Sequence, residues 1–154
     1  MTITFSEIRT YIKRQLALIG KRYNTKEGKN LFSDVTLSSA EEDTLNIFIK
    51  SSVENIEAML KQVITSSTYN TGSASITITN TRGDTDFATR AESLSKDYVM
   101  YNCIAEYLST THPDIAQTFI GSATQAMQAL VSYVFYKKPP TSTANPLSAT
   151  SSVS

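Results

Sequence analysis

Between Ser39 and Ile64 the chain repeats Leu45, Phe48, Ile49, Val53, Ile56, Met59, Leu60, Val63 and Ile64 at steps of three and four. That spacing places all nine on one side of a helix. It predicts a rod of roughly 25 residues, about 38 Å long at 1.5 Å per residue. A rod with one apolar side must be covered by elements of similar length, so the repeat commits the chain to a helical architecture. Its start is equally marked. Ser39 and Glu42 form a Ser-x-x-Glu capping box, and Glu41 and Asp43 put negative charge at the positive end of the helix dipole.

Three more helices are predicted to supply the cover. One opens at Ser6, carries Ile8, Tyr11, Ile12, Leu16 and Ile19, and stops at Gly20. Another spans about Glu92 to Ser109, with Leu94, Tyr98, Tyr101, Ile104 and Leu108 turned inward. The last follows "STTHPDIAQ", where Pro113 suits a first helical turn, and carries Phe119, Ala123, Met127, Leu130 and Val134. Short links make neighbouring helices antiparallel. "YNTKEGKNLFSDVTLSS" reads as a connection that holds Leu31, Phe32 and Val35 against the core. From Ser66 to Thr89, Ile76 and Ile78 alternate with Thr77 and Thr79, the pattern of a half-buried strand. Too few apolar residues stand there for an independent sheet, and the segment is expected to project toward a neighbouring molecule. The expectation is an all-α antiparallel bundle of about four helices, with a short β-hairpin or extended loop between the second and third. The bundle occupies residues 1–140, and an extended C-terminal arm occupies 141–154.

Little in the sequence supports catalysis. The single histidine, His112, sits in a predicted turn, and the single cysteine, Cys103, sits in a helical apolar pattern, so neither disulfide nor zinc cluster is encoded. Glu41, Glu42 and Asp43 are accounted for by helix capping, and "TRGDTD" lacks both the spacing and the lysine of a phosphate loop. The chain is therefore expected to be no enzyme and to hold no cofactor or metal. Fourteen basic residues balance fourteen acidic ones, which removes any global attraction to nucleic acid or anionic lipid. No apolar run approaches the roughly 20 residues of a membrane span, and the N-terminus lacks the order of a signal peptide. Synthesis in a cytoplasm is expected. Arg82-Gly83-Asp84 matches the tripeptide read by integrins, but Gly and Asp are also what a chain reversal demands.

The residues from Asp97 to Pro140, "DYVMYNCIAEYLSTTHPDIAQTFIGSATQAMQALVSYVFYKKPP", resemble the last two helices of tailed-bacteriophage head-to-tail connector proteins, the adaptor or neck ring proteins beneath the portal. The resemblance lies in the Ala105-Glu106-Tyr107-Leu108 helix end, the turn at His112 and Pro113, the small residues of the next helix, and the stop from Tyr133 to Pro140. "LSSAEEDTLNIFIKSSVENIEAML" is similar to the acidic-headed early helix of that family. The resemblance implies a homo-oligomeric ring, a dodecamer matching a portal, in the virion neck between head and tail. Its partners would be the portal and adjacent neck or tail proteins, with DNA passing through and not specifically bound. A closed ring needs two different complementary faces per subunit. Ile76, Ile78, Arg82 and Asp84 are the expected inter-subunit residues.

The segment "TSTANPLSATSSVS" cannot fold alone, because Leu147 and Val153 do not offset the entropy of ordering the chain around them. Proline biases it toward extended forms and lowers the entropy lost on docking. Lys137, Lys138, Pro139, Pro140, Pro146, Leu147 and Val153 are accordingly the expected partner-binding residues, on the portal or an adjacent ring protein. The competing reading is a small helical regulatory or nucleic-acid-binding protein. Arg9, Lys13, Arg14, Lys21 and Arg22 would then form its contact face.

Overall fold

The structure is a computed structural model and describes residues 1–22 and 39–136. It is predominantly helical. Strand β1 (Thr2–Thr4) leads directly into helix α1 (Phe5–Arg22). Helix α2 (Ser39–Leu60) is followed by the hairpin β2 (Ile64–Asn70) and β3 (Ser73–Ile78), then α3 (Phe87–Leu108) and α4 (Pro113–Phe135). A pure all-α bundle is thus corrected to four helices with a small antiparallel sheet of order β1-β3-β2.

The α2 repeat does what its spacing demands. Leu45, Ile49, Val53, Ile56 and Leu60 are fully buried, against Ile8, Ile12 and Leu16 of α1 and Val99, Cys103 and Ile104 of α3 in one core. Each such side chain adds about 1.5–3 kcal/mol when removed from water. α3 is the central helix: it touches α1, α2, α4 and β1, and packs most extensively on α4. Two buried hydroxyls sit in this core with partners. Ser52 Oγ donates to the Phe48 carbonyl at 2.8 Å and accepts from Asn102 Nδ2 at 3.0 Å, while Ser95 Oγ donates to the Ala91 carbonyl at 2.7 Å.

Several boundaries differ from the sequence reading. Ser6 lies inside the first turn of α1, because residues 2–4 form a strand, and the helix runs past Gly20 to Arg22. Gly20 costs a helix about 1 kcal/mol relative to alanine. Ile19, 8% exposed in the same turn, supplies packing that outweighs it. α2 ends at Leu60, four residues early. The amide of Val63 caps back onto the Leu60 carbonyl at 2.9 Å, and the Val63 carbonyl accepts from Thr79 at 2.8 Å. The β-branched run Val63-Ile64-Thr65 is thereby taken into the sheet, which suits its side chains better than a helix end. α3 begins five residues before Glu92, where Phe87 and Ala91 are buried.

The hairpin does not project from the bundle. Ala74 and Ile76 are 1% exposed and join the same core as Ile3, their neighbour across β1 and β3. The opposite face of the sheet carries hydroxyls: Ser73, Ser75 and Thr77 of β3, with Thr2 and Thr4 of β1. The connection 23–38 and the C-terminal segment 137–154 lie outside the described residues, and with them the expected roles of Leu31, Phe32 and Val35.

Candidate interaction surface

The expected inter-subunit residues are engaged within their own chain. Ile76 is a core residue and Ile78 is half-buried against that core. Arg82 Nε donates to Asp84 Oδ2 at 2.7 Å, and this hydrogen bond raises the pKa of the guanidinium. The guanidinium also lies over the rings of Tyr133 and Tyr136, 4.6 and 5.3 Å from their centroids. Phe87 stacks on Tyr133 at 5.6 Å, and Thr81 Oγ1 donates to the Val134 carbonyl. Gly83, at φ 72°, supplies the left-handed residue of the turn. Arg82-Gly83-Asp84 therefore forms a clasp that locks the end of α4 to the segment after β3.

The basic face of α1 is likewise turned inward in part. Arg9 Nη1 donates to Asn46 Oδ1 at 2.9 Å, and Lys13 Nζ pairs with Glu42 at 3.0 Å. The hydrogen bond and charge of Lys13 hold the Glu42 carboxyl below its usual range. Glu42 is thus tied to α1, and the Ser39 side chain of the expected capping box lies outside the described residues. The side chains of Lys21 and Arg22 lie outside them too, as do Lys137, Lys138, Pro139, Pro140, Pro146, Leu147 and Val153.

Burial pushes the Cys103 thiol up to about 12, so it stays protonated at neutral pH. Among the described residues no group of three or more His, Cys, Asp or Glu could hold a metal, and no helix is long and apolar enough to cross a membrane. His112 precedes α4, with its amide donating to the Leu108 carbonyl at 2.8 Å.

Among the described residues, two of the open surfaces bear on assembly. The first is a groove of about 490 Å³ between α2, α3 and α4, walled by Met59, Ile120 and Met127 over Tyr98, Asn102 and Ala123. It exists because α4 buries its small residues, Ala116, Ala123 and Ala126, and leaves Ile120 43% exposed, as Met59 is 53% exposed on α2. Sequence periodicity placed Met59 on the apolar side of its helix, since it counts apolar residues and cannot tell which of them has a partner.

The second is the outer edge of β2. The sheet has two edges, and they differ. At β1, the Thr2 amide points away from β3 and donates to Glu92 Oε2 at 2.8 Å. Burial alone would raise the Glu92 pKa, but this amide and Lys96, at 3.0 Å, hold it below the ordinary value. At β2, Ser66, Thr68 and Asn70 face Thr77, Ser75 and Ser73 of β3. In an antiparallel ladder bonding alternates, and Ile76 already exchanges both of its bonds with Met1. The residues beside Ile76 therefore bond to β2, and the amides of Ser67 and Tyr69 point outward from the edge. Below them on the inner face, Ser67 Oγ donates to Glu57. At the turn end a groove of about 340 Å³ lies between Tyr69, Phe5 and Ile47, which is 65% exposed.

No protein-family model matches this chain, and neither the curated proteins nor the solved structures contain a match.

Proposed function

We propose that the chain is a structural subunit of a phage head-to-tail connector ring, joining portal to tail and letting DNA pass. The observation that carries this reading is the pair of open surfaces, the apolar α2–α4 groove and the β2 edge, which have no lining residue in common. A ring requires two unlike faces on each subunit, and a rigid helical core presents them at a fixed angle. The resemblance in pattern read in residues 97–140 is in keeping with it, and so is the net charge of zero, since a conduit must not grip phosphates. In this reading the subunit acts in the virion neck as a dodecamer, and residues 141–154 reach an adjacent protein. Negative-stain imaging of the purified protein, alone and with a portal, tests it. Closed rings that persist at high salt are expected, whereas a monomer that binds DNA and loses it steeply with salt would overturn the reading in favour of a nucleic-acid binder.

A further inference from the structure

We infer that the outer edge of β2 is the docking site for residues 147–154 of a second copy of this chain, added antiparallel as a fourth strand. This rests on the ring reading for what successive junctions build. Three observations carry it.

The first is that the edge lacks the usual defences. Exposed edge strands are commonly protected by lysine, proline, brevity or cover. β2 has seven residues, Ile-Thr-Ser-Ser-Thr-Tyr-Asn, without a charge or proline, and its irregularity is confined to Ile64–Ser66. Ser67 and Tyr69 offer their backbone groups outward. β1, the other edge, is three residues long and its Thr2 amide is taken by Glu92, so it cannot serve as the complementary strand.

The second is a repeat in the sequence. β3 reads Ser73-Ala74-Ser75-Ile76-Thr77-Ile78, and the chain end reads Ser148-Ala149-Thr150-Ser151-Ser152-Val153. Five of the six positions keep their class, with hydroxyls on one side and Ala149 and Val153 on the other. Strand faces alternate with period two. The end segment placed on β2 therefore extends the hydroxyl face on one side and turns Ala149 and Val153 toward the face that carries Ala74 and Ile76.

The third is the groove at the turn end of β2. Leu147 shares a face with Ala149 and Val153, and antiparallel addition brings it to the exposed Ile47 beside Tyr69. Main-chain bonds then supply affinity and the side-chain pocket supplies register. A second copy is the occupant in the ring reading, because closure needs the donor and the acceptor surface on different subunits. The junction joins unlike surfaces, edge to end segment, as ring closure requires.

A complementation experiment tests it. A chain lacking residues 141–154 keeps the edge and loses the strand; a Ser67→Pro chain keeps the strand and loses the outward donor, while its ladder to β3 needs no Ser67 amide. Each alone is expected to sediment as a monomer, and their mixture as a one-to-one dimer, while the full chain forms higher oligomers. A synthetic peptide of residues 141–154 added to the shortened chain reads the same contact without Ser67→Pro. At saturation it is expected to slow exchange of the Ser67 and Tyr69 amides roughly tenfold or more, and a Ser151→Pro peptide is not. The inference is overturned if the peptide protects neither amide, if the shortened chain pairs with itself through β2, or if it still closes rings, in which last case the ring reading survives. A full chain that stays monomeric at all concentrations overturns both.

Discussion

The two edges of one small sheet have been treated differently by the same chain. At β1 the outward amide of Thr2 meets a carboxylate that is itself held by Lys96, and Lys96 in turn reaches Glu7 at 3.1 Å. At β2 the outward groups of Ser67 and Tyr69 face no such cover among the described residues, and the strand is uncharged and more than twice as long. The difference teaches that the sheet is finished on one side only. Its finished side is welded to α3, and its unfinished side is where, in the proposed assembly, another chain adds surface at low cost, since the strand is already ordered.

Substitutions can break this contrast at three depths. Ile76→Ala removes a buried side chain from β3, the strand that serves both edges, and should cost about 2–5 kcal/mol, read as a lowered denaturant midpoint. Glu92→Gln strips the charge from the finished edge. With Glu92 one-third exposed, its effect at neutral pH should stay within about 1 kcal/mol. Its pH signature is more telling. The folded-state pKa of Glu92 lies below the ordinary 4.5, so its stabilisation is present above that value and is lost as pH falls through the folded one. Melting temperature should therefore fall less on acidification in Glu92→Gln than in the parent. A slope identical to the parent's would show that β1 is not held by this contact. Thr68→Lys adds a charge to the unfinished edge at an exposed position. It should leave stability within about 0.5 kcal/mol and still reduce assembly measured by sedimentation.

Much of the helical frame was legible in the sequence because α2 and α4 are long enough for the period of their apolar residues to declare itself. β1 was not, because three residues carry no period, and its strand character comes from pairing with residues about 70 positions away. The early end of α2 had the same cause: Val63 and Ile64 continue the helical spacing, and only the partner strand shows that they leave it. The burial of β3 was missed for a related reason. Ile76 and Ile78 looked exposed because their segment held too few apolar residues to fold alone, yet the helices and β1 supply the missing partners. The Arg82–Asp84 clasp over Tyr133 joins residues about 50 apart, and no local pattern announces it.

Amide exchange of Thr2 and Tyr69, followed by isotope-resolved NMR or mass spectrometry in dilute and in assembled protein, tests the contrast most directly. The account predicts a Thr2 amide that is protected in both states and a Tyr69 amide that is protected only on assembly. A Tyr69 amide that exchanges equally fast in the assembled protein, or is already protected in the dilute monomer, would contradict it.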